Sequence, residues 1–477
     1  MQNAFIKVFS FQKIHKIFLD KRGVHMTILE KAQELPILDM ADVCVLGGGT
    51  TGVMAAVRAA RMGASVVLVE QQGNFGGNAT SGMVCAWHTL MDFDFKKKII
   101  SGLSEEVLDR LNARRALRVV DPDRPDHPSR MAKISTYIFN PQELKIECDE
   151  LLTEAGVKCY LHTMFCAPWV ENGELKAVIV ESKNGRQAIT AKFFVDATGD
   201  GDLAYRLGVD YYEREGKQPS TTAALVTGYT AHANPKKTLL AHLKEYQLPN
   251  LGWDTNYVDA PEVRHLLKTN VYESCLTAEG LTRSEIEGRR QVRAIMDILN
   301  RYGDADRALT LVGLSSSVGI REGRHMKLSY TMTGDDICNG TKFKDAIANG
   351  SYPIDIHHAH KPGCTFWYLN GMTEYELDGY PHEISWWKEP SEDYARYWQI
   401  PYRSLLPKEY GNLLVCGRAM DADASAYGAV RVMINLNQTG EAAGVAAALC
   451  TANDIRNNEL DTELLRSEMV KGGSIIL

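Results

Sequence analysis

The chain has 477 residues, of which 45% are hydrophobic and 24% charged, a balance typical of a globular protein with two or three domains. Its 53 basic and 60 acidic residues give a net charge of −7 without the basic clustering that nucleic-acid binding requires. No apolar run reaches the roughly 18 residues of a membrane-spanning helix. The ten cysteines include no C-x-x-C pair, so we expect reduced thiols and a cytoplasmic protein.

The first 25 residues are basic and apolar and contain a single acid, Asp20. Such a segment is typical of an organellar presequence or of a helix on a membrane surface. Residues 21–23 can also be encoded by a ribosome-site-like sequence just upstream of Met26. We favour a translation start at Met26 and assign residues 1–35 to an N-terminal extension.

A strand, a glycine turn, a helix and a second strand follow. Residues 43–46 are apolar, residues 53–62 are rich in alanine, and residues 65–69 are an apolar run that ends in Glu70. The turn has the pattern G-x-G-x-x-G at Gly47, Gly49 and Gly52. In such a βαβ unit the glycines admit a pyrophosphate and the acid accepts from ribose hydroxyls, which predicts a dinucleotide site.

The segment that follows favours FAD over NAD as the dinucleotide. Residues 73–83, GNFGGNATSGM, form a long loop of small polar residues, where an NAD domain would continue with another helix and strand. Such a loop lets the backbone approach a bulky, flat ligand. We therefore expect Gly77, Asn78 and Ser81 to contact the cofactor.

A helix and a β-meander occupy the next part of the chain. Residues 141–152 are predicted as a helix with a proline in its first turn. Residues 158–167, 174–182 and 187–195 are predicted as strands, and the two turns between them each contain Asn-Gly, a strong hairpin signal. The last strand leads into FFVDATGDGDLA, residues 193–204.

The glycine turn in that segment is acidic, because it carries Asp196, Asp200 and Asp202. Three carboxylates repel a phosphate, so we place the phosphate site at the uncharged turn that begins at Gly47. We expect Asp196 to brace the turn. The other two aspartates either cap the helix that begins near Leu203 or bind hydroxyls of the cofactor.

The C-terminal region has a predicted strand at residues 412–416, which ends in Gly417-Arg418, and an alanine-rich helix at 439–449. With GGGTTG, GGNATSGM, GIREGRHMKLSYTMTGDD, YPIDIH, YRSLLP, NLLVCGR and VRVM, the chain closely resembles the bacterial FAD-dependent oxidoreductase family. That family is related to the fumarate reductase and succinate dehydrogenase flavoproteins, and its FAD domain is glutathione reductase-like. The resemblance covers roughly residues 40–450.

The resemblance implies an α/β fold, in which a Rossmann-like FAD-binding domain (a parallel sheet plus a β-meander) carries an inserted α+β substrate or cap domain. The FAD-binding domain would comprise residues 36–215 and 400–460, and the cap residues 216–399. The resemblance places Gly199, Asp200, Gly417, Arg418, Thr439 and Gly440 at the cofactor. It also makes the turn at residues 435–439 the helix end that faces the flavin.

The resemblance has two departures. We see no histidine at the position that links flavin covalently in the fumarate reductase relatives, since His88 lies past the glycine loop, and we therefore predict noncovalent FAD. Family members often have a second arginine where this chain has His325, directly after Arg324. An anion-binding role for that pair is accordingly in doubt.

The predicted cap contains the catalytic candidates. Arg321 and Arg324 are suited to positioning a carboxylate, and His325 to acting as acid or base, although an ion pair between Arg321 and Glu322 would explain the first arginine equally well. We interpret residues 282–302, which alternate in charge, as a solvated structural helix.

Two further motifs of this region carry candidates. The sequence HHAH at residues 357–360 offers only three imidazoles, on a predicted loop after Asp355, so we predict no metal site and place His357 near flavin or substrate. Tyr402 directly precedes the last cofactor segment and is a candidate for the active-site floor. Its neighbour Arg403 could equally bind an FAD phosphate.

Mechanistically, we expect hydride transfer between a small-molecule substrate and flavin N5. No second G-x-G-x-x-G follows a strand, so the electron donor or acceptor is unknown and could be a quinone, a protein carrier, oxygen or a transient nicotinamide. Two alternatives remain open. One is a flavin-dependent RNA-modifying enzyme, which the acidic balance disfavours, and the other is a noncatalytic FAD-binding sensor.

Overall fold

The computed structural model describes residues 18–20, 23–25, 28, 30–120, 137–359 and 361–477. The chain divides into two compact units, Met1–Pro36 and Ile37–Leu477. In the first unit, strands β1 (Phe18–Asp20) and β2 (Gly23–His25) pair antiparallel. The proposed start at Met26 lies outside the described residues, as does most of the predicted extension 1–35.

The second unit combines strands and helices throughout. Its strands are β3 (Ile37–Leu46), β4 (Val66–Val69), β5 (Ala86–Trp87), β6 (Leu117–Val119), β7 (Tyr137–Phe139), β8 (Lys158–Tyr160), β9 (Met164–Glu171), β10 (Glu174–Ser182), β11 (Gly185–Asp196), β12 (Tyr211–Tyr212), β13 (Ala224–Thr227), β14 (Trp253–Tyr257), β15 (Ala260–Leu267), β16 (Thr310–Leu314), β17 (His325–Met326), β18 (Ala346–Gly350), β19 (Ile354–His357), β20 (Cys364–Trp367), β21 (Met372–Glu376), β22 (Glu383–Trp386), β23 (Trp398–Pro401) and β24 (Leu413–Val415). Its helices are α1 (Thr50–Arg61), α2 (Leu103–Ala113), α3 (Pro141–Glu154), α4 (Asp202–Arg206), α5 (Pro235–His242), α6 (Ala278–Tyr302), α7 (Gly334–Asn339), α8 (Ala424–Val430), α9 (Met433–Asn453) and α10 (Thr462–Lys471). Within the described ranges, no helix has both the length and the hydropathy needed to cross a membrane.

A seven-stranded sheet lies at the centre of this unit. Its order is β8–β4–β3–β11–β10–β9, and β24 pairs with the second half of β11. The strands β8, β4, β3, β11 and β24 are parallel, whereas β9, β10 and β11 form an antiparallel meander. The carboxyl ends of the parallel strands therefore meet at one edge, and the prediction of an α/β fold with a Rossmann-like sheet and a meander is confirmed.

Close packing of two helices fixes one face of this sheet. A Cβ added to Gly440 of α9 would lie 2.1 Å from the carbonyl oxygen of Thr51 in α1. One added to Gly444 would lie 2.2 Å from the carbonyl oxygen of Ala55. Because positions four residues apart share a helix face, these two glycines let the backbones of α1 and α9 touch. The alanines around them are fully buried.

Three predicted elements differ from the structure in their bounds. The predicted strand 158–167 is two strands, β8 and β9, because the chain turns at His162, which has a φ of 50°. The C-terminal helix begins at Met433 rather than at residue 439, so the predicted turn at residues 435–439 is helical. The helix predicted at residues 282–302 starts at Ala278, where Thr277 accepts from the amide of Gly280.

The region predicted as a cap contributes to two hydrophobic cores. The sheet β14–β15–β13–β16 packs against α6 around Val226, Ile295 and Leu299. Farther along the chain, Ile347 and Ile354 belong to the same core as α1 and α9. The division at residues 216 and 399 stays a prediction, and part of the predicted cap packs into the core beside the seven-stranded sheet.

Candidate active site

One cavity of about 1290 Å³ lies at the carboxyl edge of the parallel strands. The turns after β3, β4, β11 and β24 all contribute to its wall. In open α/β sheets this edge is where ligands bind, because backbone N–H groups and helix N-termini converge there. The cavity continues past these turns to the hairpin of β19 and β20 and to the sheet that contains β14 and β15.

The three motif glycines of the turn after β3 have different roles. Gly47 has a φ of +93°, and a Cβ there would lie 2.4 Å from the carbonyl oxygen of Ala197, so only glycine fits. A Cβ on Gly52 would lie 1.9 Å from the carbonyl oxygen of Gly47. A Cβ on Gly49 would meet nothing within 4 Å and would project into open space. Gly47 and Gly49 line the cavity, whereas Gly52 lies behind them.

Two helices begin at the cavity wall without a side-chain cap. The residue before α1 is Gly49 and the residue before α9 is Val432, and neither accepts from the first turn with its side chain. The first N–H groups of both helices therefore remain available to an anion. The predicted helix-end residues Thr439 and Gly440 lie within α9, away from the cavity, and the end of the helix that lines the cavity is at Val432 and Met433.

Glu70 lies on the cavity wall at the end of β4 and is 9% exposed. Its carboxylate accepts from the amide of Gly48 at 2.6 Å and from the amide of Gln72 at 2.8 Å. Burial raises the pKa of Glu70, and these two hydrogen bonds oppose that rise. The side chain is thereby fixed at the position from which an acid binds ribose hydroxyls in this fold.

The second glycine loop forms a further wall of the cavity. Gly77 lies beside Gly49, since a Cβ on Gly77 would be 3.0 Å from the Cα of Gly49. Asn78 lines the cavity and donates to the carbonyl oxygen of Ile320 at 2.8 Å. Ser81 does not line the cavity, because it is buried and its Oγ accepts from Asn74 at 3.0 Å.

The acidic turn after β11 is neutralised and braced by the protein itself. Asp196 is buried and accepts from Thr198 and from the amide of Ala204, and burial raises its pKa to about 6. Asp200 pairs with Arg418 at 2.9 Å, and Asp202 pairs with Arg324 at 2.8 Å. Gly199, Asp200, Gly417 and Arg418 all line the cavity.

A family model described as FAD dependent oxidoreductase matches residues 42–469. The chain belongs to the FAD-dependent oxidoreductase family. The match spans both the glycine turn at Gly47 and the helix α9, so it covers every cavity wall described above. No curated protein matches the chain.

Several solved structures are similar to this oxidoreductase at low identity. A geranylgeranyl bacteriochlorophyll reductase-like protein from Thermoplasma acidophilum matches 92% of this chain and 84% of its own, at 10% identity and a TM-score of 0.45. The p-nitrophenol 4-monooxygenase of Pseudomonas putida matches 91% and 84%, at 10% identity and a TM-score of 0.40. The anhydrotetracycline hydroxylase of Streptomyces rimosus matches 91% and 66%, at 13% identity and a TM-score of 0.40.

The residues of this FAD-dependent oxidoreductase fit its cofactor. The open space beyond Gly49 and the uncapped start of α1 suit a pyrophosphate, and the carboxylate of Glu70 suits a ribose. The start of α9 faces the same cavity and suits the anionic pyrimidine end of a reduced flavin. Noncovalent attachment stays a prediction. His88 does lie on the cavity wall, with its ring centroid 4.2 Å from that of Tyr352.

Two of the five predicted catalytic residues line the cavity. Arg321 donates to the carbonyl oxygen of Pro219 and to Thr221, and no carboxylate of the described residues forms an ion pair with it. The alternative of an Arg321–Glu322 ion pair is therefore wrong, because Glu322 binds Arg214 and His325 instead. Burial and the nearby Arg431 lower the pKa of Arg321 to about 10. His357 is the second residue on the wall.

The other three candidates lie behind the wall. Arg324 binds Asp202, and His325 is fully buried between Glu322 and the ring of Tyr212. Tyr402 is 2% exposed and donates its hydroxyl to the carbonyl oxygen of Asn457 at 3.0 Å. Its neighbour Arg403 binds Asp345 rather than the cavity. These side chains brace the loops around the site and do not face it.

The fold brings four further residues, none of them singled out by the sequence, to Arg321 and His357. They are Tyr352, Asp355, Cys364 and Arg431, and all line the cavity. Asp355 pairs with Arg431 at 2.8 Å and accepts from the hydroxyl of Tyr352 at 3.0 Å. The motifs YPIDIH and VRVM contain three of them, but nothing in the sequence placed those motifs side by side.

Proposed function

We propose that this oxidoreductase catalyses hydride transfer between a small acidic substrate and FAD bound in the cavity. The observation that carries the proposal is the position of Arg321. It lies on the wall of the same cavity as the glycine turn, and no carboxylate of the described residues lies within ion-pair distance of it. A partly buried guanidinium without a directly bound anion is costly, so a carboxylate on the substrate would stabilise it.

The residues next to Arg321 have two further roles in the proposed reaction. Arg431 is already paired with Asp355, so its charge is neutralised and it holds the wall in place. Burial, followed by the charge of Arg321, lowers the pKa of His357 although Asp355 opposes the shift. His357 is thus neutral near pH 7 and can accept a proton from the substrate.

The dinucleotide would be held by Gly47, Gly49, Glu70 and Gly77. The flavin ring would face the start of α9, at Val432 and Met433. Bound FAD supplies flavin N5 as the acceptor or donor of a hydride. The chain supplies the rest: Arg321 orients the substrate, His357 holds or moves its proton, and the surrounding buried residues exclude water.

The structure offers little support for an RNA substrate. Three of the basic residues that line the cavity, Lys236, Arg264 and Lys268, each pair with an acid, either Asp378 or Asp254. A groove that binds a nucleic-acid backbone needs basic residues that are free to meet phosphates. A noncatalytic sensor remains the second alternative, and only turnover separates it from an enzyme.

The proposal is tested by the visible spectrum of the purified protein under anaerobic conditions. Hydroxy, amino and unsaturated carboxylic acids are added to the oxidised and to the reduced protein, each beside its uncharged amide. We expect at least one acid to change the flavin spectrum faster than its amide does. If no acid does so while an uncharged compound does, the role given to Arg321 is wrong. If no compound does so, the sensor alternative is preferred.

A further inference from the structure

The hairpin of β19 and β20 brings three functional side chains together on the cavity wall. His357 and Cys364 are directly opposed residues of the two strands. Asp355 lies two residues before His357, so its side chain is on the same face of the strand. All three line the cavity together with Arg321. Cys364 follows the HHAH motif by only four residues, and the hairpin places it opposite His357; His360 of that motif lies outside the described residues.

Their contacts follow the order nucleophile, base and orienting acid. The Sγ of Cys364 lies 3.0 Å from Nδ1 of His357. The Nε2 of the same ring lies 3.4 Å from Oδ1 of Asp355. A carboxylate only accepts, so the ring proton belongs on Nε2 and Nδ1 accepts from the thiol. This is the arrangement by which a histidine activates a thiol or hydroxyl in nucleophilic catalysis.

The carboxylate of Asp355 is fixed toward His357. Its other oxygen, Oδ2, accepts from Tyr352 at 3.0 Å and from Arg431 at 2.8 Å. Oδ1 is buried, and no group among the described residues makes a hydrogen bond to it within normal distance. Asp355 is 4% exposed, so this oxygen has little access to water. The nearest group with which this oxygen can interact is Nε2 of His357, at 3.4 Å.

The protonation states suit a base that accepts the thiol proton. Burial raises the pKa of Cys364, and Asp355 raises it further, so the resting sulfur is a thiol. Burial lowers the pKa of His357, so the resting imidazole is neutral and its Nδ1 is free to accept. Burial alone would raise the pKa of Asp355, but His357 and Arg431 hold it well below its usual range. Asp355 is therefore a carboxylate.

A metal ion is a weaker explanation of the same three residues. Their ligand atoms lie within 4.8 Å of one another, as metal ligands do. However, the sulfur and the carboxylate contact different nitrogens of one imidazole, and an ion can take only one of them. Arg431 already binds Asp355, and the cation of Arg321 is close enough to lower the pKa of His357. Two guanidinium groups oppose the binding of a further cation.

We propose that Cys364 is a nucleophile, activated by His357 and oriented by Asp355, that adds to the carbonyl carbon of an acidic substrate. This inference rests on the proposed function for the acidic substrate, whose carboxylate Arg321 would hold. In the step, a bond forms between Sγ and the carbonyl carbon while the π bond of the carbonyl opens. The thiol proton passes through Nδ1 of His357 to the carbonyl oxygen, which becomes a hydroxyl. The addition needs neither oxidant nor reductant.

The test is alkylation of the FAD-loaded protein by iodoacetate and by iodoacetamide, followed by peptide mass mapping. In this probe reaction the bond from sulfur to carbon forms as iodide leaves. Cys166 and Cys338 are partly exposed and serve as internal references in the same sample. We expect Cys364 to react about tenfold faster than either reference, because His357 accepts the thiol proton as the new bond forms and so offsets the raised pKa of the thiol. We also expect its ratio of iodoacetate to iodoacetamide labelling to exceed theirs, because Arg321 binds the carboxylate.

Two variants separate activation from binding. His357→Asn should slow both reagents at Cys364 by about tenfold and leave the reference cysteines unchanged. Arg321→Gln should remove the preference for iodoacetate, so that the ratio of iodoacetate to iodoacetamide labelling at Cys364 falls to that of the reference cysteines. An unaltered flavin spectrum confirms that each variant is folded. Asp355→Asn should also slow labelling of Cys364, and it replaces His357→Asn if that variant does not fold.

The proposal is overturned if Cys364 reacts no faster than Cys166, or if His357→Asn leaves its rate unchanged. Labelling needs no turnover, so the outcome is independent of the hydride-transfer test. Rapid labelling of Cys364 in a protein whose flavin no acid changes would uphold the nucleophile and refute the proposed function. Equal use of the two reagents at a fast Cys364 would refute the acidic substrate.

Discussion

The carboxylate of Asp200 accepts from Nη2 of Arg418 at 2.9 Å, which joins the turn after β11 to the turn after β24. Both side chains are mostly buried, at 16% and 15% exposure. Arg418 also donates to the carbonyl oxygen of Ile320. The two residues predicted to bind the cofactor thus bind each other, and this ion pair sets the spacing of two cavity walls.

Replacing Asp200 by alanine should lower the free energy of unfolding by about 3 kcal/mol, because it leaves a buried guanidinium without its anion. Asp202→Ala is the matched control. Its carboxylate pairs with Arg324 but is 46% exposed, so we expect a loss below about 1 kcal/mol. Urea unfolding followed by circular dichroism measures both, and equal losses would contradict the structural role given to the Asp200 pair.

Gly49→Ala should fold normally and lose FAD. The new methyl group would meet no protein atom within 4 Å and would occupy the space assigned to the pyrophosphate. Gly313→Ala is the control, since its methyl group would first meet Leu225 at 3.8 Å, away from the cavity. The FAD content of the purified variants and their dissociation constants for added FAD decide the matter. Full FAD occupancy in Gly49→Ala would place the pyrophosphate elsewhere.

Arg321→Gln should raise KM for the acidic substrate by about tenfold or more and affect kcat less, because the guanidinium binds the substrate before and during the reaction. Arg324→Gln provides the comparison. Its guanidinium faces Asp202 and the ring of Tyr205, outside the cavity, so KM should stay within about twofold. Steady-state kinetics on the acid identified by flavin reduction gives both values. A larger effect of Arg324 would restore that residue as the substrate ligand.

Tyr402→Phe should destabilise the protein by about 1 to 2 kcal/mol without changing the flavin spectrum or kcat. The hydroxyl donates to the buried carbonyl oxygen of Asn457, and its removal leaves that acceptor unsatisfied. Thermal unfolding and turnover are measured on the same preparation. A fall in kcat at unchanged stability would return Tyr402 to the active-site floor.

Glu441 predicts a pH dependence of stability that does not involve the active site. It is 1% exposed, and burial raises its pKa from 4.5 to about 7 although Arg58 opposes the shift. Between these values the folded state holds a proton that the unfolded state has lost, so stability falls as the pH rises. We expect this group to account for a loss of about 3 kcal/mol between pH 4.5 and pH 8.

The variant Glu441→Gln has no titrating proton at this position, so its unfolding free energy should fall less over the same pH range. Glu463→Gln, at a side chain that is 76% exposed, should keep the slope of the unaltered protein. Urea unfolding at pH 5 and pH 8 compares the three proteins. A slope that is the same for Glu441→Gln as for the unaltered protein would show that Glu441 is ionised in the fold throughout.

Local patterns in the sequence predicted the elements of the nucleotide-binding part. A strand, a glycine turn and an alanine-rich helix can each be recognised from residues that are adjacent along the chain. Gly47, Gly49 and Glu70 were therefore identifiable as one unit. Asn-Gly pairs predicted the meander for the same reason, since a tight hairpin depends on two adjacent residues. The predicted start of α9 is six residues late, because residues 435–439, four of which are polar, are buried in a tightly packed helix.

Only the tertiary structure decided which functional side chains meet. Cys364 reaches His357 because the residues between them fold back as a hairpin, and Arg431 reaches Asp355 from a helix end 76 residues farther along the chain. The same is true of the residues that the fold removes from the cavity. His325 lies four residues after the cavity residue Arg321, and Tyr402 directly precedes the last predicted cofactor segment, yet the hydrogen-bond partners of both lie behind the wall. Sequence spacing determines the local elements, whereas burial and long-range pairing determine which residues face the ligand.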